Sequence, residues 1–265
     1  MAMRLYDAHN HLQDPRLDAH RAALLAAPTA HRMVVAGSGE EDWPDVATLA
    51  QQNACVLPSF GVHPWYVREQ SPDWRERLEA LLAQFPQAGV GEIGLDRWIS
   101  DADVALQQRF FTEQLALAAR DNRPATLHCL RAWGLMEETL RATPRPERGF
   151  LLHSYGGPAE MVPSFVRLGA YFSVSPYFLH ARKARQWATF AQVPLDRLLI
   201  ETDAPDMWPP TEINSHPLRD GQGHEINHPA NLGLMYPAVA QLRGMVGEDL
   251  AVVVQGNFQR LFGAA

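Results

Sequence analysis

The sequence predicts an α/β fold, a closed parallel (β/α)8 barrel, from three observations. Eight short apolar runs alternate with longer stretches of helical spacing. The length, 265 residues, suits such a barrel as one domain, expected to span 1–265. Six side chains able to hold a metal fall where those runs stop, and in this fold the strand ends carry the active face.

The elements follow in order. Residues 3–8 form the first apolar run, and 16–27 have helical spacing. Strands are expected at Arg32–Ala36 and 55–62, with a helix over 42–52 between them. Ser71 and Pro72 read as the cap and first position of a helix over 72–84. The fourth strand is 89–93, followed by a strong helix over 103–120 that stops at Asp121-Asn122. The next units pair a strand at 124–129 with a helix at Trp133–Ala142, and a strand at 149–153 with a helix at 159–168 that ends at Gly169. The seventh strand is Ala170–Val174, then a helix over 180–191, and the eighth strand is 197–201. The stretch 205–227, rich in Pro, Gly, Asn and His, is an irregular loop leaving the eighth strand on the active face. Helices at about 229–243 and 249–262 complete the chain.

Hydrophobic content of 46% and charged content of 20% are those of a globular enzyme and exclude disordered and fibrous classes. A net charge of −7 argues against a protein that coats nucleic acid with a broad basic surface, while leaving room for a local phosphate site. Cys55 and Cys129 are too few for a disulfide framework and read as buried thiols in a reducing compartment. The start of the chain has no charged segment leading into an apolar one, and no apolar run reaches about 18 residues. A soluble cytoplasmic protein with no membrane contact is expected. No strong hydrophobic stripe marks an obligate protein partner, so a monomer is expected.

The chemistry resides in His9, His11, Glu92, His128, His153 and Asp203. Side chains at i and i+2 of an extended segment share a face, so His9 and His11 point together into the barrel mouth. Asp7 lies one layer deeper on that face, placed to orient a ligand. Glu92 stands in GVGEIGLD between two glycines, and a buried carboxylate there needs a cation or donors. His128 in ATLHCL and His153 in FLLHSYGG close apolar runs. Asp203 ends the eighth strand in LLIETDAP, with Glu201 two residues inward. Taken singly, each is as well explained as a hydrogen-bonded strand-end residue. Six unrelated polar residues would scatter along their strands; these share one rim. Four imidazoles and two carboxylates make a ligand set for two divalent ions, Zn, Mn or Ni in preference to Mg. The only lysine, Lys183, falls on the helix after the seventh strand, which leaves Glu92 as the natural bridge.

DAHNH, GVHP, GEIGLD, TLHC, LLHSYGG, ETDAP and NHPANL occur along the whole chain. In their order and spacing they resemble the TatD family of metal-dependent hydrolases, among the amidohydrolase-like barrels. The resemblance implies a distorted TIM (β/α)8 barrel of the metallo-dependent hydrolase type, with phosphodiesterase or deoxyribonuclease activity. It implies that His9 and His11 hold one ion with Asp203, that His128 and His153 hold the second, and that Glu92 bridges them. His63 of GVHP is similar to the family's substrate-facing histidine. The chain departs from the pattern at His153-Ser154-Tyr155-Gly156-Gly157, at Ser173-Val174-Ser175-Pro176, at Ile226 and at His228. None of these departures touches an expected ligand, but all bear on the substrate pocket.

Two divalent ions, two carboxylates and a bridging hydroxide leave a residual positive charge, which favours an anionic substrate. The expected function is therefore two-metal hydrolysis of a phosphodiester, as a deoxyribonuclease (an exonuclease) or on a small phosphoester. Asp203 would orient the nucleophile and take its proton, with Glu92 and His63 completing the catalytic group. His63, Arg97 or Arg131 would bind phosphate oxygens. Trp65, Tyr66, Trp98, Trp133 and Trp208 follow strand ends and are candidates for stacking on bases. The alternatives are hydrolysis of an amide, lactone or cyclic imide, and a metal-binding protein without turnover.

Overall fold

The computed structural model describes residues 3–263, so the extremes of the expected 1–265 domain lie outside the described residues. Eight strands form one sheet in sequential order, all neighbours parallel: β1 (Tyr6–Asn10), β2 (Arg32–Ala36), β3 (Val56–Phe60), β4 (Gly89–Asp96), β5 (Ala125–Leu130), β6 (Phe150–Leu152), β7 (Ala170–Val174) and β8 (Leu198–Ile200). Between them run α1 (Asp18–Ala26), α2 (Trp43–Gln52), α3 (Trp74–Gln84), α4 (Val104–Arg120), α5 (Trp133–Ala142), α6 (Val162–Arg167) and α7 (Ala184–Thr189). This is the expected distorted TIM barrel. Strands covered on both faces need continuous apolar sequence, and β2, β3, β6, β7 and β8 supply it. The helices close over them along single stripes: Trp43, Val46 and Leu49 of α2, or Phe110, Phe111, Leu115 and Ala118 of α4.

The barrel seam lies between β8 and β1, where no regular ladder forms. Asp7 staples it: Oδ1 accepts from Thr202 N (2.9 Å) and Oδ2 from Thr202 Oγ1 (2.6 Å). Past the end of β8, Asp203 N donates to His9 O (3.0 Å) and His11 N to Ala204 O (2.7 Å). Asp7 was expected to orient a ligand side chain; instead it grips backbone, including His9 N at 3.3 Å, and the Asn10 amide at 3.1 Å.

Several boundaries differ from expectation for visible reasons. β4 runs three residues beyond Ile93 to Asp96, with its register against β5 broken between Val90 and Ile93. Glu92 therefore sits at a mid-strand irregularity, not at a strand end. Gly94 permits that continuation: at φ 148° its missing Cβ would stand 2.0 Å from His128 O. Ser71 does not cap α3, because Glu40 captures its N–H (2.6 Å) and hydroxyl (2.7 Å), and the helix starts two residues after Pro72. The helices after β6 and β7 begin as 3-10 turns and are shorter than expected, and Lys183 lies in the turn before α7.

The stretch 205–227 is only partly irregular. It contains a hairpin of β9 (Pro217–Arg219) and β10 (Glu225–Asn227), whose turn is held by the Asp220 carboxylate accepting from Gln222 N and His224 N (both 2.8 Å). Asn227 ties the hairpin to the end of β8 through Thr202 O (2.8 Å). The last helices, α8 (Leu232–Arg243) and α9 (Gly247–Phe262), pack on β8, and α9 also on β1, covering the seam from outside.

Candidate metal centre

His9, His11, Glu92, His128, His153 and Asp203 converge at one rim of the barrel. Glu92 is at the centre, buried, and its two oxygens face different neighbours. Oε2 lies 3.3 Å from His9 Nε2 and 3.2 Å from His11 Nε2. Oε1 lies 2.7 Å from His153 Nε2, 2.9 Å from His128 Nδ1 and 3.4 Å from His63 Nε2. Asp203 Oδ1 joins the first group at 3.4 Å from His9 Nε2 and 3.6 Å from His11 Nε2.

Hydrogen-bond partners on the outer side of the rings decide which nitrogens carry lone pairs. His11 Nδ1 is 2.8 Å from Ala36 O, an atom that only accepts, so the neutral ring donates from Nδ1 and turns a lone pair at Nε2 inward. His128 Nε2 faces the Asp96 carboxylate at 2.9 Å, which directs the Nδ1 lone pair inward. His9 Nε2 stands 3.1 Å from His11 Nε2, next to the Asp203 and Glu92 oxygens. Such a gathering of acceptor atoms, with ligand atoms of His9, His11 and Asp203 all within 4.8 Å of one another, fits a bound cation.

His63 differs in kind. Its Nδ1 accepts from Trp65 N at 3.2 Å, so the neutral ring carries its proton on Nε2. Burial, chiefly, holds its pKa down at about 4, so the ring is neutral at pH 7. Although His63, Glu92 and His128 are close enough to group as ligands, His63 offers a hydrogen-bond donor where the others offer lone pairs.

Glu92 stays ionised despite burial. Burial pushes Glu92 up, but the surrounding imidazoles, led by His153, outweigh it and hold the group well below its ordinary value. Glu201, where the sequence located it, accepts from Ser154 N (2.7 Å) and Ser154 Oγ (2.6 Å), takes the Ser173 hydroxyl, and stands 3.7 Å from His153 Nδ1. It thereby fixes the chain just after His153. Ser154, Arg131 and Asp203 all have positive φ (40°, 57° and 54°), so backbone strain gathers at the strand ends that present the site.

Asp96 was missed by sequence reasoning. Its Oδ2 takes both His128 Nε2 and the Trp65 indole N–H (2.7 Å), and its Oδ1 takes Trp98 N at 2.6 Å. A signal existed: Asp96 is four residues after Glu92, an even spacing along a strand. Of the substrate candidates, Arg131 lies with its guanidinium 3.9 Å over the Trp98 ring. Arg97 is exposed and engages Leu130 O only through its backbone N–H. Trp133 is half-buried and packs edge-on against Tyr155 and Phe165. Ile226 is buried in β10, and His228 caps the following turn by accepting from Ala230 N at 2.9 Å.

The family model described as TatD related DNase matches residues 6–263. The chain belongs to the TatD family. Among TatD-family relatives, it is 29% identical to the uncharacterized metal-dependent hydrolase YjjV of Escherichia coli K12, over 99% of both chains. It is also 29% identical to the 3'-5' ssDNA/RNA exonuclease TatD of Citrobacter koseri, over 88% of both. The crystal structure of the Escherichia coli YjjV TatD homolog superposes with a TM-score of 0.89 at 27% identity, covering 100% of each chain. This TatD-family chain is thus a metal-dependent hydrolase with a His/Glu/Asp cluster able to bind metal. No helix among its described residues is long and apolar enough to cross a membrane.

Proposed function

We propose that the chain is a two-metal phosphodiesterase that removes nucleotides from single-stranded nucleic acid or hydrolyses a smaller phosphoester. Glu92 carries this reading, because each of its oxygens faces its own set of imidazoles. One divalent ion would sit among His9, His11, Asp203 and Glu92, the other among His128, His153 and Glu92. Relatives named 3'-5' ssDNA/RNA exonuclease TatD support nucleic acid as the substrate. Four imidazoles favour zinc, manganese or nickel over magnesium. Cys55 and Cys129, both free thiols, support a reducing cytoplasm as the place of work.

When bound, such ions supply an acidified water and stabilise negative charge on the phosphoryl oxygens. The chain's own groups do the rest. Asp203 turns Oδ1 to the two histidines and takes the attacking water's proton on its other oxygen. His63 offers its Nε2–H as a hydrogen bond to a non-bridging phosphate oxygen. Asp96 and Glu201 keep His128 and His153 in place. The amide, lactone or cyclic imide alternative is less supported, because an anionic substrate answers the residual positive charge better.

Metal-stripped protein reloaded with Mn, Zn, Ni or Mg tests the reading. Two ions per chain and metal-dependent release of mononucleotides from single-stranded DNA are expected. Release of nitrophenol from bis-nitrophenyl phosphate without action on DNA would assign a smaller phosphoester. One ion per chain, or turnover indifferent to chelation, would overturn the two-metal mechanism.

A further inference from the structure

Exposed aromatic surface crowds one side of the barrel mouth. Trp65 and Tyr66 follow β3 and Trp98 follows β4; Trp65 is 46% exposed and Trp98 58%. Aromatic rings left open beside a reactive centre mark a contact surface for substrate. Trp65 is held rigidly, because its indole N–H is bound to Asp96 Oδ2 at 2.7 Å, the same oxygen that faces His128. Its ring stands edge-on, 5.0 Å from His63 and 6.4 Å from His128, within one nucleotide's reach of Glu92.

Trp98 hangs from the same carboxylate through its backbone N–H (2.6 Å) and stays open although the Arg131 guanidinium lies 3.9 Å over its ring. Arg131 leaves β5 three residues after His128, turned outward by its positive φ of 57°. The partner found for this guanidinium among the described residues is an aromatic face, not a carboxylate, so its charge is not neutralised. A guanidinium held over an indole face by cation–π attraction can still offer N–H groups to a phosphate.

We propose that Trp65, Trp98 and Arg131 form a nucleotide subsite beside Glu92, in which unpaired bases stack on the indoles and the Arg131 edge binds the phosphate neighbouring the scissile one. The inference rests on the phosphodiesterase reading above and adds the residues that hold the strand. Bases in a duplex have their faces covered by stacked neighbours, so this wall accepts only a strand whose bases are free.

Binding is read by fluorescence anisotropy with manganese-loaded full chain and a labelled, non-hydrolysable phosphorothioate trinucleotide. Trp98→Ala is expected to weaken binding about tenfold and Arg131→Ala by a similar factor, whereas Trp98→Phe, which retains a ring, restores most of the loss. The ratio of kcat/KM for single-stranded oligonucleotide to that for bis-nitrophenyl phosphate should fall about tenfold in Trp98→Ala, with metal content unchanged. Unaltered trinucleotide binding in Trp98→Ala, or an equal fall on both substrates, would overturn the subsite. Absence of hydrolysis by the parent protein would overturn the phosphodiesterase reading instead, and the anisotropy titration would still decide whether the wall binds nucleotides.

Discussion

His128 Nε2 lies 2.9 Å from Asp96 Oδ2, and that oxygen also holds the Trp65 indole at 2.7 Å. The pair fixes the ring's tautomer and couples its orientation to the aromatic rim. Removing the carboxylate in Asp96→Ala should weaken metal binding at the His128 position about ten- to a hundredfold. Asp96→Asn, which keeps an acceptor oxygen, should fall in between. Competition against a chelator reads both, and wild-type affinity in Asp96→Ala would refute the positioning role.

Glu92 touches both histidine groups only because it has two oxygens at the right reach. Glu92→Ala should lose both ions and lower turnover about a hundredfold or more. Metal content by mass spectrometry alongside nucleotide release checks this. A variant that kept full metal-dependent turnover would end the bridging assignment.

In chelator-treated protein, burial pushes the His11 imidazole down, but Glu92 and Asp203 outweigh it and raise the pKa from 6.5 to about 9. His153 is likewise held well above its ordinary value, mainly by Glu92 against the effect of burial. Metals bind unprotonated rings, so binding at pH 7 should release protons and apparent affinity should climb as pH rises towards about 9. Calorimetry in buffers of different ionisation heat measures the release, and none at pH 7 would contradict the ligand set. A raised folded-state pKa stabilises the fold below the unfolded value. His11's contribution is thus full below 6.5 and fades as pH climbs through about 9, so the Tm of stripped protein should drop across that window.

Gly94→Ala should be among the most damaging single-methyl additions, because the new Cβ would collide with His128 O. A loss of about 3 kcal/mol or more in urea unfolding is expected, with metal binding impaired. A near-neutral result would mean that β4 and β5 can separate without cost.

Asp7→Ala would orphan Thr202 N, Thr202 Oγ1 and the Asn10 amide at the seam. At about 1–3 kcal/mol for each buried group left unpaired, a loss of at least about 2 kcal/mol is expected. Thr202→Val, which removes only the hydroxyl, should cost less. Equal stabilities by urea unfolding would assign the closure to the backbone bonds alone.

The alternation of apolar runs with helical spacing made the barrel legible, because a strand buried on both faces leaves an unmistakable run. His9 and His11 were legible from their two-residue spacing, and Glu92 from its need of a cation. Asp96 was not, since the register break after Val90 and the glycine at 94 disguise a strand that continues. The proton on His63 Nε2 was not either: it depends on Trp65 N, a backbone contact that no side-chain pattern encodes. Ser71 looked like a cap until Glu40, distant in sequence, took its hydrogen bonds. The strands of the 217–227 hairpin, three residues each, are too short to give a periodic signal.

The seam has a consequence for how the protein is born. His9 lies in the first strand, His11 just past it and Asp203 just past the eighth, so the donor group they share is complete only after nearly the whole barrel has left the ribosome. A half-synthesised or prematurely terminated chain would carry His9 and His11 without their acid partner. The donor group is thus assembled only when the two ends of the barrel meet.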